Sequence, residues 1–354
     1  MQKYYFCGMQ KNSAIRIESN VDLKPINTFG VQGKTKYLIQ FISESQLPQI
    51  LRYASNFKDK VLFTGGGSNI LFTGNWDGLI VKIATKGIEV LDEDDDYVYV
   101  KAEAGEVWDD LVNYCINNGY GGIENLSLIP GSVGSSPIQN IGAYGVELKD
   151  VFYMLEAVSL RTGEVREFYR EECQFGYRYS VFKGVYKGVY LILSVIFKLS
   201  KKPVLNLSYG AVEQEMMRLQ LPRNIASVSQ AIINIRKSKL PDPMEIGNAG
   251  SFFKNPLVSK EEFMAIKEKH IDIPYFINDD EYKLAAGWMI EKCGWKGYRE
   301  GDAGVHEKQA LVLVNYGKAN GRQIKELAEK ISDSVFDRFN IRLEPEVNIL
   351  TCVE

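Results

Sequence analysis

Ile129-Pro130-Gly131-Ser132-Val133-Gly134-Ser135-Ser136-Pro137-Ile138-Gln139-Asn140-Ile141-Gly142-Ala143-Tyr144-Gly145 holds four glycines, two prolines and no charged side chain. A stretch built this way offers backbone N–H groups and small hydroxyls rather than ions. Glycine lets the main chain take φ > 0 and approach a ligand closely, and successive N–H groups in such turns form anion-binding concavities. Long uncharged loops in compact domains tend to carry function. A second loop of the same kind, Gly65-Gly66-Gly67-Ser68-Asn69, directly follows the apolar run Val61-Leu62-Phe63. Either loop alone also reads as an ordinary turn after a strand. Neither is the G-x-G-x-x-G dinucleotide fingerprint or the lysine-bearing P-loop. Two in one chain suggest a single ligand, a polyphosphate or a flat ring, held between them.

Outward from the loops, residues 23–83 read as strand, helix, strand, glycine loop, strand. Leu47, Ile50, Leu51 and Ala54 fall at helical spacing behind Ser43-x-x-Gln46, the pattern of a capping box. Residues 97–100 alternate as a strand after an acidic turn at 92–96, a solvated hairpin tip. Trp108, Leu111, Val112 and Cys115 form the buried stripe of a helix stopped at Gly119. Beyond the long loop, 153–159, 165–169 and 190–199 alternate like strands of an antiparallel sheet. These are two subdomains, about 21–85 and 86–200, with the ligand between them.

After weak periodicity at 201–224, Ser227-x-x-Gln230 predicts a helix stopped by Lys239-Leu240-Pro241-Asp242-Pro243. Ser259-x-x-Glu262 opens another, 284–293 a third, and 320–339 a fourth carrying Ile324, Leu327, Ile331 and Val335, with a strand at 310–315. Residues 224–340 thus make a helix-rich α+β domain. Residues 341–354 return as a strand, and 1–20 are an extension with no assignable element.

With 354 residues, 45% hydrophobic and 25% charged, the chain is a soluble globular protein of several domains. A net charge of -3 without long Lys/Arg runs argues against nucleic-acid binding. The five cysteines are scattered and outside C-x-x-C spacing, and only His270 and His306 exist, so no metal site is expected. The first residues lack the basic start and apolar core of a signal peptide, and no apolar run is long enough to span a membrane. A cytoplasmic location and no membrane insertion are expected.

Three further stretches place polar groups in unusual company. Phe175-Gly176-Tyr177-Arg178-Tyr179-Ser180 sets an arginine among aromatics, either a surface cation–π contact or a carboxylate clamp. Gly247-Asn248-Ala249-Gly250-Ser251-Phe252-Phe253-Lys254-Asn255-Pro256 sets a serine in a glycine turn. Leu343-Glu344-Pro345-Glu346-Val347 alternates so that Glu344 and Glu346 would share one strand face.

In this order, these motifs resemble the UDP-N-acetylenolpyruvoylglucosamine reductase family (UDP-N-acetylmuramate dehydrogenases) over about residues 23–350. The resemblance implies an α+β chain: a two-subdomain FAD-binding fold of the PCMH/vanillyl-alcohol-oxidase type plus a C-terminal α+β substrate domain. It implies non-covalent FAD, with NADPH as hydride donor, and reduction of UDP-N-acetylglucosamine enolpyruvate to UDP-N-acetylmuramate for the cell wall. In the family's reaction hydride goes to the enolpyruvyl methylene, and the negative charge left on the neighbouring carbon and carboxylate needs cationic and hydrogen-bonding partners.

Residue by residue, the resemblance places Gly65, Gly66, Gly67, Ser68, Asn69, Pro130, Gly131, Gly134, Ser135, Ser136, Gln139, Asn140, Ile141, Gly142, Ala143 and Tyr144 at the flavin. Arg178 matches the arginine that stabilises the enolate-like intermediate, Glu346 the carboxylate of the same site, and Ser251 the proton donor. Serine is a weak acid and needs a neighbour, for which Lys239 or Lys254 is available. Tyr209, Lys239, Asn255, Tyr275, Lys296 and Gln309 match substrate contacts, and Ile273-Pro274-Tyr275 matches the branch with a mobile tyrosine loop. With both histidines beyond Pro256, a histidine-linked flavin is not expected. A monomer is.

Gly301-Asp302-Ala303-Gly304-Val305-His306 departs slightly from the family pattern, which bears on local loop geometry; His306 reads as structural. A flavoprotein oxidase on the same scaffold and a non-enzymatic binder of uridine-diphospho-sugars are the rival readings. The C-terminal motifs speak against the oxidase, and bleaching of a flavin band by NADPH separates enzyme from binder.

Overall fold

The computed structural model describes residues 14–58, 60–278 and 280–351. Cys7 and Cys352 therefore lie outside the described residues. The first sheet has the order Ile17–Asp22, Lys34–Phe41, Trp76–Ile83, Val61–Thr64. Its first pair is antiparallel and the others parallel. The edge strand starts inside the stretch expected as an extension.

The second sheet is antiparallel, with the order Val165–Tyr169, Phe152–Ser159, Tyr190–Ser200, Tyr97–Glu103, Ile88–Glu93. The helix Trp108–Asn117 covers one face with Trp108, Leu111, Val112 and Cys115, all buried. The Trp108 indole donates to Leu126 O at 2.9 Å and its ring meets Phe197 edge-on. Complete burial of side chains of this size stabilises by roughly 1.5–3 kcal/mol each, enough to fix the helix where the long loop leaves it. Ile39, Phe41, Leu79 and Val81 of the first sheet pack on Val158, Leu191 and Leu193 of the second.

The third sheet, Gly247–Ser251, Val312–Asn315, Ala303–Val305, Arg299–Glu300, lies under the 19-residue helix Gly321–Phe339. Its core is continuous with Leu23, Ile26, Phe29, Leu71 and Phe72 of the first unit. The last strand, Asn348–Leu350, adds parallel to Ile70–Phe72, directly after the glycine loop. The last strand thus joins the same packed body as the first unit.

Some local readings give way to better partners. Gln46 accepts from Ile42 N rather than closing a box on Ser43, and the helix Leu47–Ala54 starts behind it. Asn224 caps the helix Ile225–Lys239 through Ser227 N, so that helix begins before Ser227. Its Val228, Ala231, Ile232 and Ile235 pack with Val212, Met216 and Tyr144, so the boundary expected at 224 cuts through a helical pair. Ser259 and Glu262 do form the expected box. Residues 343–347 are not a strand: Pro345 makes one isolated bridge to Phe253, and Glu344 and Glu346 diverge, the first exposed and the second mostly buried.

Candidate active site

The two uncharged loops meet. A Cβ on Gly65 would overlap Ser132 Oγ, one on Gly67 would overlap the carbonyl oxygen of Ile26, and one on Gly131 would come within 3.2 Å of Ser68 Oγ and 3.3 Å of Ser135 Oγ. Glycine is required where chains approach this closely, and Gly67 and Gly131 also have φ of 66° and 130°. Among the described residues the amides of Gly65, Gly66, Gly67 and Ser68 donate to no protein acceptor. Free amides beside the Ser68 and Ser132 hydroxyls, with no carboxylate among them, suit a pyrophosphate, while the Ser135 hydroxyl is turned onto Ser132 O. The residues present therefore fit the diphosphate of FAD.

The long loop is clamped by the aromatic turn at 176–183. Gly176 and Tyr179 exchange backbone hydrogen bonds, and Arg178 sits at the tip with φ 52°. A left-handed non-glycine residue costs about 1–2 kcal/mol and signals a position held by its surroundings. Arg178 Nη2 donates to Gly142 O at 3.1 Å, Ser180 Oγ to Ile138 O at 2.8 Å, Asn140 Nδ2 to Gly176 O at 3.1 Å, and Lys183 Nζ to Gln139 Oε1 at 3.1 Å. The turn and the loop are one unit.

Into this unit the end of the chain delivers Glu346. Its Oε1 lies 3.0 Å from Arg178 Nε, an ion pair whose N–H is not aimed along that line and which leaves Nε without a hydrogen bond. Gln139 Nε2 donates to the same oxygen at 3.3 Å, and Asn69 Nδ2 donates to the Glu346 backbone carbonyl at 3.2 Å. Ser251 ends the strand Gly247–Ser251, after Gly250 at φ 69°. The next carbonyl, that of Phe252, accepts from Glu346 N at 2.7 Å. An arginine and a carboxylate remote in sequence thus meet, and the backbone that follows Ser251 is hydrogen-bonded to the carboxylate's own residue.

The other sequence-predicted residues divide. Asn140 is fully buried and its side chain is taken by Glu147, Gly176 and the Lys149 amide, so it builds the loop rather than facing a ligand. Ser136 Oγ is likewise turned inward, onto Val133 O. Lys254 pairs with the exposed Glu344 at 2.9 Å. Asn255 Oδ1 accepts from Ala286 N at the start of the helix Ala286–Lys292, and Gln309 Oε1 lies against Gly287 of the same helix. Lys296 folds back on Glu291, and Lys239 is exposed at the end of its helix. Tyr209 meets Tyr144 edge-on at 5.2 Å. Tyr275, on the hairpin Tyr275–Asn278 and Glu281–Leu284, leans on Phe263 with ring centroids 4.5 Å apart. A cavity of about 370 Å³ opens between Tyr177, Lys254, Asn255 and Arg342.

Sequence reasoning passed over four groups. Burial pushes the Tyr177 phenol up despite Arg178 beside it, and Lys283 lies 4.7 Å over that ring, its ammonium pushed down by burial. Burial also lowers Lys183, with Lys254 adding to the effect. Arg236, one turn before Lys239, is lowered by burial, faces Tyr144, and has an unbonded Nε. Its spacing to Lys239 on one helix face was the available signal; Lys183 and Lys283 had none.

Residues 242–350 match the family model described as UDP-N-acetylenolpyruvoylglucosamine reductase, C-terminal domain, and residues 35–169 match that of an FAD binding domain. A UDP-N-acetylenolpyruvoylglucosamine reductase of Flavobacterium johnsoniae is 47% identical over 339 residues, covering 95% of this chain and 100% of that protein. One from Pseudomonas fluorescens is 48% identical over 337 residues, covering 95% and 99%. The crystal structure of UDP-N-acetylenolpyruvylglucosamine reductase from Thermus caldophilus superposes with a TM-score of 0.67 at 22% identity, covering 95% of this chain and 99% of that one, a likeness of fold.

Proposed function

The chain belongs to the UDP-N-acetylenolpyruvoylglucosamine reductase family, and from that premise we propose how its residues divide the work. The protein is an FAD-containing, NADPH-dependent oxidoreductase that reduces UDP-N-acetylglucosamine enolpyruvate to UDP-N-acetylmuramate, a step of peptidoglycan precursor synthesis. The chemistry FAD supplies when bound is two-electron transfer, from NADPH to the methylene carbon of the enolpyruvyl ether.

The free amides of residues 65–68 and the hydroxyls of Ser68 and Ser132 hold the cofactor's diphosphate, and Ser135 braces the turn that carries Ser132. Arg178 takes the substrate carboxylate: its side chain lies beside Glu346 and keeps about a fifth of its surface, 22%, open to the site. A permanently charged fork placed in advance lowers the cost of the charge that develops beside that carboxylate. Ser251 gives the proton to the carbon carrying that charge, and Glu346 orients Arg178 while accepting from Gln139. Asn255, Gln309 and Tyr275, with Lys239, Lys296 and Tyr209, receive the uridine diphosphate portion. The protein works as a monomer in the cytoplasm.

The observation that carries this reading is the meeting of Arg178 and Glu346, 168 positions apart, at 3.0 Å beside the strand that bears Ser251. The test is the visible spectrum of the purified protein. A flavin band bleached by NADPH and restored anaerobically by the enolpyruvyl substrate is expected; a band restored only by oxygen, or no band, overturns the reading.

A further inference from the structure

Gln139 lies at the centre of the site, and its amide is held at both ends. Oε1 accepts from Lys183 Nζ at 3.1 Å and from Asn69 Nδ2 at 3.4 Å, while Nε2 faces Glu346 Oε1 at 3.3 Å. A glutamine amide can turn over to present either end, and its orientation follows from its partners. Two donors on one side and a carboxylate on the other permit only the orientation in which Nε2 donates to Glu346. Of the two donors, Lys183 is the nearer and the charged one, and charge-assisted hydrogen bonds are about twice as strong as neutral ones.

Lys183 is itself held. Val181 and Phe182 are buried on the preceding turn, and Ser180 Oγ ties that turn to the long loop. The charged groups facing the ammonium are Lys254, Arg178 and Lys187, all cations, and Glu346, the one carboxylate. Burial and the cations lower its proton affinity, and Glu346 opposes them. An ammonium kept among three cations is not there to strengthen the fold by pairing.

We propose that Lys183 is a positioning residue for the reduction step: by holding Gln139 Oε1 it aims Nε2 at Glu346 and so fixes the carboxylate against Arg178. This rests on the roles given to Arg178 and Glu346 above. Nothing in the geometry places Lys183 on the reacting atoms; it acts through the amide.

A double-mutant cycle in the FAD-loaded protein tests the coupling, read by stopped flow as two half-reactions: flavin reduction by NADPH and anaerobic reoxidation by the enolpyruvyl substrate. Lys183→Met and Gln139→Met are each expected to slow reoxidation roughly tenfold or more, as loss of a hydrogen bond to a charged group would. The double variant should be no slower than the worse single, because the second change removes a link already broken. Lys183→Arg, which keeps a charged donor, should recover most of the rate. It should also hold that rate to higher pH than the wild type, because guanidinium does not lose its proton where a depressed ammonium does. Effects that multiply in the double variant would place Lys183 on the substrate directly and overturn the proposal. So would reduction and reoxidation slowed equally, or an arginine variant as slow as the methionine one. Glu346→Gln separates the two levels: if it reoxidises at the wild-type rate, the role given to Glu346 fails whatever Lys183 does.

Discussion

Replacing Glu103 with glutamine should stabilise the protein at pH 8 and do so by only a small fraction of that amount at pH 5. Glu103 ends the strand Tyr97–Glu103, half-buried where the second sheet meets the first unit. Burial, then Glu44, raises its pKa, Glu156 adds to this, and Lys101 with the Thr85 hydroxyl offsets part, leaving the carboxyl pushed up from 4.5 to about 7. Between those values the folded protein holds a proton that the unfolded chain has released, so stability falls as pH rises from 4.5 to about 7 and is flat above. At 1.36 kcal/mol per pH unit the full gap is worth at most about 3 kcal/mol. Water reaching the half-buried group reduces this to about 1–2 kcal/mol. Glutamine has the shape without the charge, so it removes the alkaline penalty only. Urea unfolding of both proteins at pH 5 and pH 8, followed by circular dichroism, measures the difference directly. A glutamine advantage equal at the two pH values, or none at pH 8, would show that Glu103 is not protonated in the native state at neutrality, and the reasoning would fail. Glu44→Gln should capture a smaller part of the same gain, since Glu44 is the second cause.

Ser251→Ala should leave flavin reduction by NADPH within about twofold and slow reoxidation by substrate by roughly a hundredfold or more, the usual worth of a positioned acid; stopped-flow traces with both halves unchanged would remove Ser251 from its role. Arg178→Lys should also fail in the second half-reaction, because a point charge cannot span both Gly142 O and a substrate carboxylate; wild-type turnover would refute the clamp. Gly67→Ala forces a Cβ against the Ile26 carbonyl at φ 66° and should cost about 2–4 kcal/mol together with loss of bound flavin; melting temperature and the ratio of flavin to protein read both, and an unchanged ratio would place the diphosphate elsewhere.

What the sequence made legible was contiguous. The helix Gly321–Phe339 shows its buried stripe of Ile324, Leu327, Ile331 and Val335 as the spacing has it, because that stripe follows from periodicity along one element; Asn320, read as its first residue, is its cap. The glycine loops were visible for the same reason. Caps at Ser43 and Ser227 were misplaced because several polar residues offered the same three-residue spacing, and the choice fell to whichever oxygen the tertiary structure left free: Gln46 turned to Ile42, and Asn224 captured Ser227 N. The pair Glu344 and Glu346 failed differently. Alternation predicts a shared face only if a ladder holds the chain flat, and Pro345 has no N–H to give to one. With a single bridge to Phe253, the chain turns there and sends one carboxylate to solvent and the other inward.

The deeper omission concerns which residues belong to which job. Resemblance assigned Asn69 and Gln139 to the cofactor, yet both also hold Glu346. Asn69 donates to Gln139 Oε1 and to the Glu346 carbonyl, while its own carbonyl accepts from the Asn348 amide, 279 positions away. Contacts across such distances leave no trace in local pattern, since nothing at 69 or 139 marks a partner near the end of the chain. Their physical consequence is that the glycine loop at 65–69 and the segment bearing Glu346 are one hydrogen-bonded assembly. Order imposed on residues 65–69 by a bound anion is order imposed on Glu346, because Asn69 cannot shift without releasing both Gln139 and the Glu346 backbone. A fold that must bring Arg178 and Glu346 together from 168 positions apart has its precision set by these few side-chain amides, and they share the cost of holding it with the core that joins Phe29 to Phe252.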